Sequence, residues 1–387
     1  MGAEKMSNKK YWVWLSLALG TGTRNDEILS AYPDPKKLYE STEAERMAAG
    51  VFTKRQFEKL GEAKMSDAER IIATCEKYGW EVVTPDNRIY PAGLRKLVDM
   101  PLALYVDGDI SCLRGKVIIG VVGTRKPCYE SIAIARKISS DLAKAGAVVV
   151  SGGALGIDSA AHEGAIEGGG KTVCVLGCGL GFDYLRDNEA LRRDVSRNGA
   201  LVTEYPPMTG ASKYTFPERN RIISGMSHGL LVVEAGEKSG SLITAKRAAE
   251  QSRDVYAIPG SILTTAYNGA NALIRDGAKA VASARDILAA YAVIYPDRLN
   301  LDAISDASIT VEKPEEKKSL QTVKKQNVSG LDPDCTEVYN LFGEKALHPD
   351  DICAMSGIPL SRVITALMRL QMEGYIDSDG GKNYRIK

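Results

Sequence analysis

The chain is short of several features that would announce a function. Its 387 residues hold only three histidines, and the seven cysteines (Cys75, Cys112, Cys128, Cys174, Cys178, Cys335 and Cys353) form no CxxC pair. Zinc-type sites need such residues at close spacing, so no metal is expected. The same scatter argues against a disulfide framework and for a reducing, cytoplasmic setting. An excess of one charge is missing too: 50 Lys and Arg face 49 Asp and Glu, a formal net charge of +1. That balance disfavours a histone-like binder and requires any anion-binding surface to be local. The longest apolar run near the N-terminus, Tyr11 to Leu19, is too short to span a bilayer. It reads as a buried helix rather than a signal peptide, and no membrane partner is expected.

The chain has the 44% hydrophobic and 26% charged residues of a soluble globular protein, and a length that suggests two or three domains. Residues 8–80 carry apolar positions at helical spacing and predict a small helical domain. A second domain is expected over 81–300. It opens with short strand-like pieces (EVVT, LALYV) and continues as six apolar runs: 116–123, 147–153, 172–177, 200–205, 229–235 and 254–260. These runs do not alternate with polar residues, and helical segments separate most of them. That pattern predicts an α/β fold with a Rossmann-like parallel sheet covered on both faces. Residues 311–330 (VEKPEEKKSLQTVKKQNVSG) read as a flexible linker. Residues 332–387 carry three helix signals and a hairpin with Gly380-Gly381 in its turn, which fits a winged-helix domain.

In such sheets ligands bind beyond the carboxyl ends of the strands, and four segments with suitable chemistry fall there. GTRKPCYES (123–131) opens with Gly123 and carries Arg125 and Lys126 into a helix N-terminus. SGGALGIDSAAH (151–162) offers Gly152, Gly153 and Gly156 for close backbone approach and positive φ. Its spacing matches neither the dinucleotide fingerprint nor the phosphate loop. Asp158 and His162, four apart, share a helical face and read as a structural contact rather than an acid–base pair. SKYTFPERNRIISG (212–225) sets Lys213, Arg219 and Arg221 beside Phe216 and Tyr214. Cations for phosphates and an aromatic face for a base are what single-stranded nucleic acid requires; a loop with Phe216 in the core is the competing reading. EAGEKSGSLITA (234–245) places Ser239, Gly240 and Ser241 at a helix start as an anion nest, with Glu234 at the strand end.

Taken in order, GTRKPCYES, SGGALGIDSAAH, FPERNRIISG, VVEAGEKSGSLITA, AIPG and NGANALIRDGA closely resemble the DprA/Smf family of DNA-processing proteins. The resemblance runs from about Lys116 to Ala280. It implies an extended Rossmann fold, an N-terminal domain of the SAM or helix-hairpin-helix kind, and a C-terminal winged helix. It also implies a homodimer that binds single-stranded DNA, protects incoming strands in natural transformation and helps load the RecA recombinase. Arg125 matches the Arg of the family's G-[ST]-R turn. Lys213 and Phe216 match residues lining its DNA pocket, and Arg219, Asn220 and Arg221 match its RNR stretch. The glycine turns shape that pocket. No catalytic residue, cofactor or metal is implied.

Two other functions compete. Nucleotide phosphoribohydrolases of the LOG kind share the glycine turns, but they carry PGGxGT before a catalytic Glu where this chain has EKSGSLITA. A transcription factor would read duplex DNA through the winged helix. From Asp332 to Lys387, however, nine acidic residues face six basic ones, a net of −3. A DNA-phosphate surface calls for the opposite sign, so this domain reads as a protein-contact module.

Overall fold

The structure, a computed structural model, describes residues 2–183, 186–304, 331–343, 346–378 and 383–386, with side chains from residue 8 onward. The expected linker (311–330) and the turn at Gly380-Gly381 lie outside the described residues. The chain forms two compact units, Met1–Val311 and Glu312–Lys387.

The first unit opens with six helices: α1 (Gly2–Leu19), α2 (Asp26–Ala31), α3 (Pro35–Glu40), α4 (Glu43–Ala49), α5 (Lys54–Glu62) and α6 (Met65–Tyr78). Capping boxes start two of these short helices, Thr42 with Glu45 at α4 and Thr53 with Gln56 at α5. The strands follow: β1 (Glu81–Val83), β2 (Leu104–Gly108), β3 (Ile118–Val122), β4 (Val148–Gly152), β5 (Thr172–Val175), β6 (Ala200–Thr203), β7 (Gly229–Val232), β8 (Asp254–Ala257) and β9 (Lys279–Ala280). The intervening helices are α7 (Tyr129–Lys144), α8 (Ile157–Glu167), α9 (Glu189–Asn198), α10 (Thr215–Met226), α11 (Gly240–Glu250) and α12 (Asn268–Arg275), with α13 (Ala284–Ile294) after β9.

Among the described residues these strands make one nine-stranded sheet in the order β1-β2-β6-β5-β4-β3-β7-β8-β9. Each of the six expected strands forms, one to three residues shorter at its carboxyl end than the apolar run. The sheet is not wholly parallel: β1 pairs with β2, and β2 with β6, in antiparallel register. The connecting region 81–115 thus extends the sheet by a hairpin, which needs no crossover helix.

Successive residues of a strand face opposite sides, and two apolar layers result. Ile118, Val122, Val148 and Val150 join one cluster, and Ile119, Val121 and Val149 the other. The first cluster also contains Trp12, Trp14, Leu15 and Leu38 from the helical region together with Ile222 of α10 and Ala245 of α11. The sequence reading draws a domain boundary near residue 80, but the apolar core runs straight across it. Helices α7, α8 and α13 cover the other face with Ile138, Leu142, Ala160 and Leu288.

The second unit holds α14 (Pro333–Leu341), α15 (Pro349–Ser356), α16 (Leu360–Met372) and an antiparallel pair, β10 (Ile376–Ser378) with β11 (Tyr384–Ile386). Its own core is built on Val338, Phe342, Ile352, Val363, Leu367 and Leu370. Helix α15 ends at Gly357 in left-handed conformation (φ 72°), and the chain turns by 115° into α16. That is the helix-turn-helix of a winged helix.

Candidate functional site

The strand order reverses at β3: β4, β5 and β6 lie to one side, and β7 and β8 to the other. The loops after β3 and β7 must therefore part, and a crevice opens between them. A cleft of about 990 Å³ lies there, lined by Gly123–Lys126, by Lys213, Phe216, Arg219 and Asn220, and by Lys238–Ser241.

Each loop is held by local chemistry. After β3, the Thr124 backbone N–H donates to the Glu234 carbonyl (2.9 Å), and the Thr124 hydroxyl oxygen accepts from the Lys126 N–H (3.2 Å). The Glu234 carboxylate accepts the Cys128 N–H at the start of α7 (3.0 Å). This buried carboxylate therefore braces the turn that presents Arg125 and Lys126, both exposed. Before α10, the Ser212 hydroxyl accepts from the N–H groups of Tyr214 and Thr215 (3.3 Å each), a turn that leaves Lys213 exposed. At α11, Ser239 caps the helix by accepting from the Ser241 N–H, so the dipole's positive end faces the cleft.

The segment 212–225 takes a definite local structure. It is not a loop: α10 spans Thr215–Met226, with Pro217 in its first turn, where proline is tolerated. Phe216, Arg219, Asn220 and Ile223 recur at three- and four-residue spacing and line the cleft. Two residues along a helix is about 200° of rotation, so Arg219 and Arg221 point to opposite sides. Arg221 is not in the cleft. It is buried at 2% exposure, bonded to Glu204 and 3.4 Å from Asp99.

Arg219 lines the cleft but is itself buried, donating to the Val175 carbonyl at the end of β5. Beside it, burial pushes the Asp158 carboxyl above its ordinary range, against the pull of the Arg219 guanidinium. A side chain at position 152 would put its Cβ 2.4 Å from the Asp158 carboxylate and 2.5 Å from Arg219 Nη1. Gly152 is therefore required by this pair, not by its own φ. Of the three glycines in SGGALG, only Gly156 takes a positive φ (86°). Gly153 packs against Leu176 and Cys174, and Gly123 against Ile157.

Asp158 and His162 do not pair with each other. Asp158 accepts from the Ala154 N–H (3.4 Å), whereas His162 Nε2 donates to the Gly152 carbonyl (2.9 Å) and Nδ1 meets the Thr172 hydroxyl (2.7 Å). Burial pushes the His162 imidazole down to about 4, so it is neutral at pH 7. Sequence reasoning missed Lys238. Its signal in the sequence is a lysine directly before the Ser239-Gly240-Ser241 helix start, and it lines the cleft. Arg125 lies over the Phe216 ring, 5.2 Å from guanidinium carbon to centroid.

In the second unit, α16 carries Leu360, Ile364, Met368 and Met372 at four-residue spacing, all exposed, with Met372 at 88%. Its two arginines are engaged by carboxylates, Arg362 by Asp334 and Arg369 by Asp332 and Glu373. Among the described residues no three His, Cys, Asp or Glu converge as a metal site would require, and no single helix is long and apolar enough to cross a membrane.

A Rossmann-like sheet with a cationic cleft at its switch point, on one chain with a winged helix, defines an α/β protein with a helix-turn-helix appendage. Sequence comparison narrows this class. The pattern of DNA recombination-mediator protein A matches residues 81–292, and that of the DprA winged helix domain matches 323–382. DNA processing protein DprA of Bacillus subtilis is 39% identical over 218 residues, 56% of this chain and 73% of that protein. Protein Smf of Escherichia coli is 32% identical over 87% of this chain and 85% of its own length. The crystal structure of Streptococcus pneumoniae DprA superposes with a TM-score of 0.62 at 32% identity, covering 71% of this chain and 95% of that one. DprA from Helicobacter pylori, a structure described for its single-stranded DNA binding mode, gives 0.51 at 29% identity, covering 56% and 97%. The chain belongs to the DprA/Smf family.

Proposed function

We propose that this chain binds single-stranded DNA in the strand-end cleft and does not transform it. Phosphates contact Arg125, Lys126, Lys213 and Lys238, and one base stacks on Phe216. The observation that carries this reading is the aromatic ring in a cleft whose described lining holds five Lys and Arg and one carboxylate, the buried Asp158. In the free protein Arg125 covers the Phe216 ring. An exposed cation–π contact is worth about 0.5–1 kcal/mol and a stacked base about 1–3 kcal/mol, so a base displaces the guanidinium, which then turns to a phosphate. The Helicobacter pylori relative's single-stranded DNA binding supports the same ligand.

The absence of catalysis in this proposal rests on where the candidate acids and bases are committed. Glu234 braces a backbone turn, and His162 is buried and bonded on both nitrogens. The family resemblance extends the proposal to a cytoplasmic homodimer that protects incoming single strands and helps load RecA in natural transformation. Gel shifts with single-stranded and duplex oligonucleotides test the core of it. Preference for the single strand is expected, and equal affinity for both overturns it. RecA assembly on oligo-dT, measured with and without the protein, tests the extension. Release of base from a nucleoside monophosphate would favour the phosphoribohydrolase instead.

A further inference from the structure

The opposite end of the same strands carries a second cationic hollow. It encloses about 470 Å³ and lies where β3, β7 and β8 begin, next to Lys116, Ile118, His228 and Arg253. Ile118 and Val122, at the two ends of β3, are about 13 Å apart, so this hollow and the cleft are separate sites. Its described lining includes Arg88, Arg95, Lys96, Arg114, Lys116, Arg253 and Arg298, and no Asp or Glu. In a chain with 50 basic and 49 acidic residues, seven cations without a carboxylate mark a local segregation of charge. Like charges gathered this way repel, and a bound anion relieves them.

Arg253, one of the seven, and His228, which also lines the hollow, are partly buried. Arg253 is half-buried and donates to the carbonyls of Gly93 (3.3 Å) and Gly225 (3.0 Å), while its buried Nε has no partner. His228 Nδ1 accepts the Ile118 backbone N–H (3.1 Å), which leaves Nε2 as the N–H of the neutral ring. Arg298 stacks on Tyr295, 4.5 Å from its centroid, and Tyr295 meets the His228 ring edge-on. Five of the seven cations are arginines, whose planar forks suit phosphate oxygens better than lysine's point charge does.

We propose that this hollow is a second phosphate-binding site, at the amino ends of the strands and distinct from the cleft. The phosphate belongs to a nucleic-acid backbone or to a free phosphate compound, and the test separates the two. The inference does not depend on the cleft binding DNA.

The test uses the full chain and the double variant Lys116→Glu/Arg298→Glu, whose sites are exposed and whose fold is checked by an unchanged Tm. Pyrophosphate is titrated while the His228 ring signal, one of only three histidines, is followed by NMR. Burial, Arg253 and Arg298 hold the His228 imidazole below its ordinary value. A saturable shift with an upward move of that titration is expected in the wild type and not in the double variant. No shift in the wild type, or an equal shift in the variant, overturns the proposal. Binding of a long oligo-dT then identifies the source. A roughly tenfold loss in the double variant, with a salt dependence shallower by about 1.4 for two lost contacts, means nucleic-acid backbone. Unchanged oligo-dT binding in the double variant, with a pyrophosphate response present in the wild type and lost in the variant, means a free phosphate compound. Arg125→Glu serves as the control: it leaves the His228 response in place, so failure of the cleft reading is seen separately.

Discussion

The guanidinium of Arg125 lies over the ring of Phe216, 5.2 Å from its centroid, and so joins the turn after β3 to the first turn of α10. Neither residue has its partner nearby in the sequence. The contact exists because β3 is the strand at which the sheet order reverses, and because α10 leads directly into β7 beside it.

Arg125→Glu and Lys213→Glu are each expected to weaken short oligo-dT binding by at least an order of magnitude at low salt, and Phe216→Ala to cost about 1–3 kcal/mol. Fluorescence anisotropy across a salt series measures both. Wild-type affinity in all three variants would remove the cleft from the DNA-binding surface.

Gly152→Ala places a methyl group against the Asp158 carboxylate and the Arg219 guanidinium, each about 2.5 Å from the new carbon. Overpacking of this kind costs about 1–3 kcal/mol. Chemical denaturation is expected to show that loss, with oligo-dT affinity reduced because Arg219 lines the cleft. Gly169→Ala is the contrasting case: its Cβ meets nothing within 4 Å, so only the strain of its positive φ (73°) is felt.

Arg221 belongs to the core. Removing it by Arg221→Ala leaves Glu204 buried without its cation, a change that costs about 3–5 kcal/mol. The double variant Arg221→Met/Glu204→Leu is expected to recover most of that loss. Below the unfolding transition, DNA affinity stays within about twofold, since Arg221 does not reach the cleft. A large affinity loss in a stably folded Arg221→Met/Glu204→Leu protein contradicts this placement.

The His162 imidazole titrates near 4 in the folded chain and near 6.5 when unfolded. Between those values the unfolded state holds the extra proton, so stability rises with pH across that window and is fully present above it. The span is worth about 3 kcal/mol. Asp158 and Glu204, raised by burial, contribute with the opposite sign: their stability is present at low pH and lost as pH rises. Comparing the pH dependence of unfolding in wild type and His162→Gln isolates the histidine. The variant is expected to lose the histidine's upward contribution, so that its stability rises less, or falls more, between pH 4 and 6.5, and identical slopes would refute the assignment.

Deleting residues 332–387 is expected to leave most of the affinity for single strands. The outward face of α16 is apolar and its arginines are ion-paired, which suits a protein contact rather than a phosphate backbone. Pull-down or light scattering with Met368→Lys/Met372→Lys checks whether that face carries an association lost in the variant.

The periodicity and composition of the chain by themselves determined the six parallel strands, their order along the chain, the three helices of the C-terminal unit and the glycine turns at the strand ends. These are local properties: a buried parallel strand is a short apolar run, and a turn is a glycine cluster. They also drew out Lys213 near Phe216, since a cation close to an aromatic ring is recognisable without a fold, and Arg125 in a glycine-opened turn; the family resemblance is what marked these three as DNA contacts. Only the tertiary structure decided that Thr215–Met226 is a helix, which sends Arg219 and Arg221 to opposite sides. It also decided that Gly152 is needed to make room for a buried Arg–Asp pair, and that the helical N-terminal region shares one core with the sheet. Each of these depends on which distant side chain fills the neighbouring space, and spacing along the chain carries no record of that.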